Sequence, residues 1–426
     1  MVKPVKYTVG ATKREVYKPA QQSCPPQEAL PRYYYVQPLQ NTPSAWNGAS
    51  SYVDFEVPAQ TGVMTEATLR FNLTGITSNH YLPSTPFWID HVEVYIGSDL
   101  IETVWKHEIW NEEIAWRSQQ ELSNVATASS SNYSIYNART DGLFQTGNPL
   151  TSQASASSNN FWFLNLPTCM RSAKPYVRGF QSRIKFRVYF PTTINITSTS
   201  SNATLSPSLN ECIMIVEEAS TDPMTIAELE KAHKSSTVDY TVITRNRVQQ
   251  QYSSGQISSN TDAQIYLRGF KNKSAGVVVY ATTTTAFAQS TASNNLTNTR
   301  YFSPIYQLLD AQNNKITERL PVEWLENYIF HDAVGSCSTQ QFDVLSKDHI
   351  IFPFSADFGA TIQKGCSYGG FRFTTLEQLV LGGTASTNAQ VVQYASHLGS
   401  NMVITATSYD YGHITVSGGR HSFRME

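Results

Sequence analysis

The sequence predicts an all-β protein built from two copies of one sandwich. Its clearest apolar patterns alternate with period two, as half-buried strands do. Helical patterns are confined to three short stretches. A strand–turn–strand arrangement at 91–110 also returns at 309–329.

Residues 1–32 carry Lys3, Lys6, Lys13, Arg14 and Lys18, with prolines and no hydrophobic period, and read as a basic, extended arm. Alternation begins at "SYVDFEV" (51–57). Pro58 and Gly62 interrupt it, and "VMTEATLRFNL" (63–73) is the next strand. "HVEVYIGSDLIETVWKHEIW" (91–110) is a strand, a turn on Gly97-Ser98-Asp99, a second short strand and a charged amphipathic segment. The tract 123–160, rich in Ser, Thr, Ala, Asn and Gly, is longer than ordinary connections and reads as an excursion at one end of a sandwich.

"SRIKFRVYF" (182–190) is the clearest strand, with Ile184, Phe186, Val188 and Phe190 on one face. "CIMIVEEAS" (212–220) is more continuously apolar, as in a strand covered on both sides. At 222–233, Asp222 stands as N-cap and Pro223 at the first helical position, so a helix is expected near the middle of the chain. Strands then resume at 240–248, 263–270, 276–288, 349–355, 371–381 ("FRFTTLEQLVL") and 401–418.

A shift of 215 residues lays Ile101 on Ile316, Val94 on Leu309, and Glu108-Ile109-Trp110 on Glu323-Trp324-Leu325. The flanking order agrees. "ATLRFNL" and "GVVVYAT" precede the two hairpins, and "FWFLNLP" and "HIIFPF" follow. Internal symmetry of this kind decides the fold. Each half supplies about eight strands, which suits a jelly roll, two sheets packed face to face. The expected organisation is a basic N-terminal arm (1–32), a first jelly roll (33–221), a helical linker (222–236) and a second jelly roll (237–426), with short helices and long loops.

Composition narrows the function. The chain has 426 residues, a net charge of −2, 15% charged and 12% aromatic residues, so no global field directs it to nucleic acid or an anionic surface. Five cysteines lie scattered without a CxxC pair; Cys24 falls in the arm, and the other four read as small buried apolar residues. The N-terminus lacks the apolar core of a signal peptide, and no run approaches the ~20 apolar residues of a membrane span, so synthesis in a cytoplasm is expected.

No nucleotide loop or nucleophile elbow is present, and "KHEIW" (106–110) lacks the second histidine of a zinc helix. No catalytic, cofactor or metal residue is therefore expected. Glu112-Glu113 and "RSQQEL" (117–122) read as a charged helix face for solvent or a subunit contact. The rival class is a glycan-binding or glycan-hydrolysing β-sandwich. Trp105, Trp110, Trp116 and Trp324 could stack on sugars, though their spacing beside apolar residues suits packing better. A hydrolase would also need two carboxylates ~5–10 Å apart in a cleft.

"SYVDFEVPAQTGVMTEATLRFNL", "WIDHVEVYIGSDLIETVW" and "HIIFPFSADFG" resemble the opening strand pair, polar-turn hairpin and proline-ended aromatic strand of the double jelly-roll major capsid proteins. These occur in tectivirus-like phages, adenoviruses, virophages and polinton-like viruses, and the resemblance covers about residues 33–420. It implies a non-enzymatic virion protein of a dsDNA virus without cofactors, made in the host cytoplasm. Three chains would form a pseudo-hexameric homotrimer that tiles an icosahedral capsid beside neighbouring capsomers and minor or vertex proteins. The arm residues Lys3, Lys6, Lys13, Arg14 and Lys18 would lie at the inner face, toward an internal membrane or the genome. The loops at 123–160, 197–207 and 289–299 would face outward or meet within the trimer.

Overall fold

A computed structural model describes residues 6–9, 12–15, 31–39, 52–74, 80–81, 85–115, 161–191, 197–198, 208–219, 221–252, 263–283, 305–321, 349–365, 369–382 and 402–426. In the arm, β1 (Lys6–Val9) and β2 (Thr12–Glu15) pair antiparallel, Lys6 opposite Glu15 and Tyr7 opposite Arg14. This stretch was expected to be extended. Paired strands are themselves extended, and Tyr7, Thr8 and Val9 of β1 are residues suited to strands.

The first roll uses β3 (Arg32–Val36), β4 (Tyr52–Glu56), β5 (Met64–Thr74), β7 (His91–Ile96), β8 (Asp99–Trp105), β9 (Phe161–Asn165), β10 (Ile184–Tyr189) and β12 (Ser208–Glu218). They form one sheet in the order β3-β12-β5-β9 and another in the order β4-β10-β7-β8. A small side ribbon joins β6 (His80–Tyr81) to β11 (Thr197–Ser198). Helix α1 (Lys106–Ala115) follows β8, and α2 (Cys169–Ala173) follows β9. The β7–β8 turn needs Gly97, whose φ of +64° side chains rarely adopt.

Helix α3 (Pro223–Ser235) lies between the rolls. As expected, the Asp222 carboxylate accepts the Met224 and Thr225 backbone N–H groups, both at 2.9 Å.

The second roll uses β13 (Thr237–Tyr252), β14 (Ala263–Tyr266), β15 (Lys273–Thr283), β16 (Ile305–Leu309), β17 (Leu320–Pro321), β18 (His349–Pro353), β20 (Gln378–Gly382) and β21 (Met402–Ser417). Its sheets run β13-β21-β15-β18 and β14-β20-β16-β17. Taken as first to eighth strand within each roll, both rolls read 1-8-3-6 and 2-7-4-5. Helix α4 (Phe358–Lys364) follows β18 as α2 follows β9. The accessory strands β19 (Phe371–Arg372) and β22 (Arg420–Met425) pair with β15 and β21.

The match extends to register. The row Val36–Met214–Leu69–Leu164 crosses the first sheet of roll one, and Val248–Ala406–Val279–Ile350 crosses its counterpart in roll two. Both rows face inward. In the second sheets Phe55–Phe186–Val94 corresponds to Ile265–Leu379–Leu308. Phe186, Leu379 and their row partners are fully or almost fully buried. Each such side chain contributes about 1.5–3 kcal/mol of transfer free energy, an upper value because the unfolded chain is itself partly compact.

Two departures from expectation concern strands. "FRFTTLEQLVL" is not one strand: Thr375 takes φ +74°, so β19 and β20 fall in different sheets. Strand β13 is also longer than the expected 240–248, and its ribbon with β21 serves two cores. Val248, Ile404 and Ala406 pack in the second core, whereas Val242, Ile414 and Val416 pack in the first. The amphipathic segment expected at 322–329 and the tract 123–160 lie outside the described residues.

Candidate assembly interface

The joint between the rolls is polar and buried. Helix α1 and the end of β8 lie across the outward face of the β13-β21-β15 sheet. Arg245 of β13 donates from Nε to Glu112 Oε1 and from Nη2 to Glu112 Oε2, both at 2.6 Å, and from Nη1 to Glu102 Oε1 at 2.5 Å. The second oxygen of Glu102 accepts the Cys169 backbone N–H at the start of α2, at 2.6 Å. One guanidinium and two carboxylates thus tie α1, β8, α2 and β13 together, each of the four carboxylate oxygens having a donor.

Glu108 takes part as well. It accepts the Trp105 backbone N–H at 2.9 Å, one arm of a capping box, and the Thr407 hydroxyl of β21 at 3.0 Å. Burial pushes its carboxyl up to about 7. Burial also raises Glu112, with Arg245 opposing. Arg247 lies 4.0 Å over the Trp105 ring, and His107 stacks on Tyr280 at 5.4 Å. Sequence reading placed Glu112 on a solvent or subunit face. The structure buries it because the second roll covers α1, and Glu102, Glu108 and Arg245 were missed for the same reason.

The linker helix closes the joint from the side. His233 Nδ1 donates to the Leu229 carbonyl at 2.7 Å, which leaves Nε2 to accept the Tyr240 hydroxyl at 2.8 Å. Tyr240 oxygen in turn accepts the Tyr176 backbone N–H at 3.1 Å. Three elements share this chain: α3, β13 and the first roll.

The outward face of β4-β10-β7-β8 carries an in-register aromatic row, Tyr52–Tyr189–His91–Trp105, with centroid separations of 5.5, 4.2 and 4.5 Å. Next to it Arg187 forms a bidentate pair with Asp54 at 2.7 and 3.0 Å and lies 4.4 Å over Tyr52. The ring faces are thus covered by one another and by guanidinium groups, Arg247 covering Trp105. That leaves poor platforms for a sugar. Trp110 and Trp116 side chains and Trp324 lie outside what the structure describes. At the counterpart positions of Tyr189, His91 and Trp105 the second roll has Gly382, Ile305 and Pro321, so the outer faces have diverged while the cores match.

Of the arm residues, Lys6, Lys13 and Arg14 lie in the β1–β2 hairpin, while Lys3 and Lys18 fall outside the described residues. Cys169 and Cys212 are buried and unpaired, as read from the sequence; Cys24, Cys337 and Cys366 are outside the described residues. Among the described residues no group of three metal-ligating side chains occurs, and no helix is long and apolar enough to cross a membrane.

Two eight-stranded rolls of common strand order and register in one chain define the double jelly roll. Among the solved structures that share this fold are viral capsid proteins. PBCV-1 VP54, fitted into a reconstruction of the virophage Sputnik, superposes with TM-score 0.64 at 11% identity, over 96% of this chain and 98% of its own. A chain of the PBCV-1 virus capsid gives 0.63 at 11% identity, over 96% and 98%. The Faustovirus major capsid protein gives 0.55 at 8% identity, over 96% and 93%. No family model and no curated protein matches the sequence. At these identities the likeness is one of fold.

Proposed function

We propose that this chain is a viral major capsid protein, a structural component of the virion that self-assembles as a pseudo-hexameric homotrimer in an icosahedral shell. The observation that carries the reading is the register-level duplication with diverged outer faces. Six near-equivalent rolls from three chains fill a hexagonal site, and each roll is free to meet a different neighbour. The full-length fold likeness to capsid proteins supports it. The same reading takes 33–221 and 237–426 as the two building blocks, joined by 222–236, with the 1–32 hairpin arm at the inner face. There Lys3, Lys6, Lys13, Arg14 and Lys18 would attract phosphate of a genome or an internal membrane, salt-dependently and without sequence preference. Neighbouring capsomers and minor or vertex proteins are the further partners. Light scattering after size exclusion tests the reading: a particle of three times 47.5 kDa is expected, and a monodisperse monomer across the accessible concentration range would refute it.

A further inference from the structure

Strand β22 stands outside the eight strands of either roll. It returns from β21 through Gly418-Gly419, both at positive φ, and pairs with Gly412–Ser417. It also touches both rolls. Phe423 packs against the first core, and the Gly418 and Gly419 carbonyls accept from Gln181 of roll one at 2.9 and 2.8 Å. His421 Nε2 lies 3.1 Å from Asp99 Oδ2 in the β7–β8 turn. At the far end, Glu426 meets β15. The Lys273 backbone N–H donates to its carbonyl at 3.0 Å, and Lys273 Nζ to its Oε2 at 2.9 Å. β22 is thus a strap laid from one roll to the other.

His413 of β21 stands between two carboxylates from different elements. Its Nε2 is 2.8 Å from Glu426 Oε1, and its Nδ1 is 3.0 Å from Asp239 Oδ2 of β13. The Nδ1 contact lies off the hydrogen-bond axis and acts through charge. A neutral ring donating from Nε2 would turn the Nδ1 lone pair toward the Asp239 carboxylate; the imidazolium attracts both anions. With it the cluster balances, His413 and Lys273 against Asp239 and Glu426.

The other groups facing the ring do not supply this charge. Thr415 donates to the second Asp239 oxygen at 2.9 Å, and Thr241 lies opposite His413 on β13. Arg424, its cross-strand neighbour on β22, is exposed, and Lys273 lies over the Tyr411 ring. The hydrogen bond from His413, followed by that from Lys273, holds the Glu426 carboxyl below its ordinary 4.5. Glu426 therefore stays charged wherever an imidazole changes charge.

We propose that His413 is a proton-operated latch for this strap: the imidazolium ties Glu426, and with it β22, to β13, and loss of the proton lets the strap lift. The closed strap holds a proton that the lifted strap releases. Closure is therefore full on the acid side of the imidazole range and falls as pH rises through it. The His421 contact gates less, because a neutral ring can still donate from Nε2 to Asp99. Ion pairs this near the surface are individually weak. What they hold is one accessory strand of six residues, a unit able to open locally while the rolls stay folded.

Hydrogen exchange of residues 420–426 in the full chain, from about pH 5.5 to about pH 8 and corrected for intrinsic rates, tests the latch. Protection in the parent should fall at least about tenfold across the range, while β10 in the first core keeps its own. His413→Gln should leave protection low and level. Asp239→Asn, which leaves the histidine in place, should shrink the step. Glu108→Gln should keep it, which separates the latch from the buried carboxyl of the joint. Protection in the parent that ignores pH, or a step that persists in His413→Gln, would overturn the proposal. So would loss of protection in β10 together with 420–426, because the strap would then not open by itself.

Discussion

Arg245 and Glu112 meet as a parallel fork, two N–H···O contacts of 2.6 Å between side chains almost wholly removed from solvent and belonging to different rolls. With Glu102 on the remaining nitrogen, the cluster holds two anions against one cation. Its strength lies in completeness, because a buried charge that loses its partner has no water to replace it. Glu112→Gln leaves Glu102 to balance the guanidinium and should be tolerated. Arg245→Met strands two carboxylates and should cost about 3–5 kcal/mol. Adding Glu102→Gln and Glu112→Gln to Arg245→Met should recover much of that loss. Denaturant unfolding of the four proteins checks this order; equal loss in the single Arg245 variant and the triple variant would refute it.

Glu108 predicts a pH dependence. Its folded pKa of about 7 stands above the ordinary 4.5. The raised value means that the folded state holds a proton the unfolded state has released. The contribution is therefore full below pH 4.5, falls as pH rises toward 7 and is flat above. The whole change amounts to ~3 kcal/mol at most. Glu108→Gln keeps an acceptor for the Trp105 N–H, donates an amide N–H to the Thr407 hydroxyl oxygen where the carboxylate accepted from it, and cannot ionise. Its stability relative to the parent should rise between pH 5 and pH 7.5. Parallel melting curves at several pH values measure it, and a constant difference would sink the assignment.

Thr375 is a β-branched residue at φ +74°, a region costing about 1–2 kcal/mol for residues other than glycine. The turn persists because the Glu377 carboxylate accepts the backbone N–H of Thr374 at 2.9 Å and that of Leu376 at 3.2 Å. Asparagine tolerates this conformation better, so Thr375→Asn should raise stability by about 0.5–1 kcal/mol, whereas Thr375→Val should bring no gain. Calorimetry of the two variants decides it.

The same turn explains what sequence could and could not reveal. Period-two alternation marks which side chains enter their own core, and so Phe186, Val188 and their neighbours were legible. It says nothing about a turn held by one glutamate, and "FRFTTLEQLVL" looked continuous. The repeat was legible to within one residue. The shift of 215 put Val94 on Leu309, whereas pairing puts it on Leu308, with Val92 on Tyr306 and Val104 on Leu320. The offset drifts because the second hairpin carries a longer loop. The aromatic row was not legible, since Tyr52 and Tyr189 become neighbours only through strand order. Nor was the joint: an outward charge such as Arg245 reads as solvated until a second roll covers it.

Gly179 and His233 allow the linker contact to be tested by itself. A Cβ at position 179 would stand 2.2 Å from His233 Cδ2, nearer than any real contact. The imidazole is held on both nitrogens, by Leu229 and by Tyr240, and has no room to give. Gly179→Ala should therefore displace α3 and cost about 1–3 kcal/mol through overpacking. His233→Ala alone loses the bond to Tyr240 but opens space where the methyl would go. The glycine substitution should then cost clearly less in the His233→Ala background than in the parent, a coupling of at least about 1 kcal/mol. A double-mutant cycle by urea unfolding measures it. Additive losses would mean that α3 does not lie against this glycine, and that the side closure of the joint is not built as described.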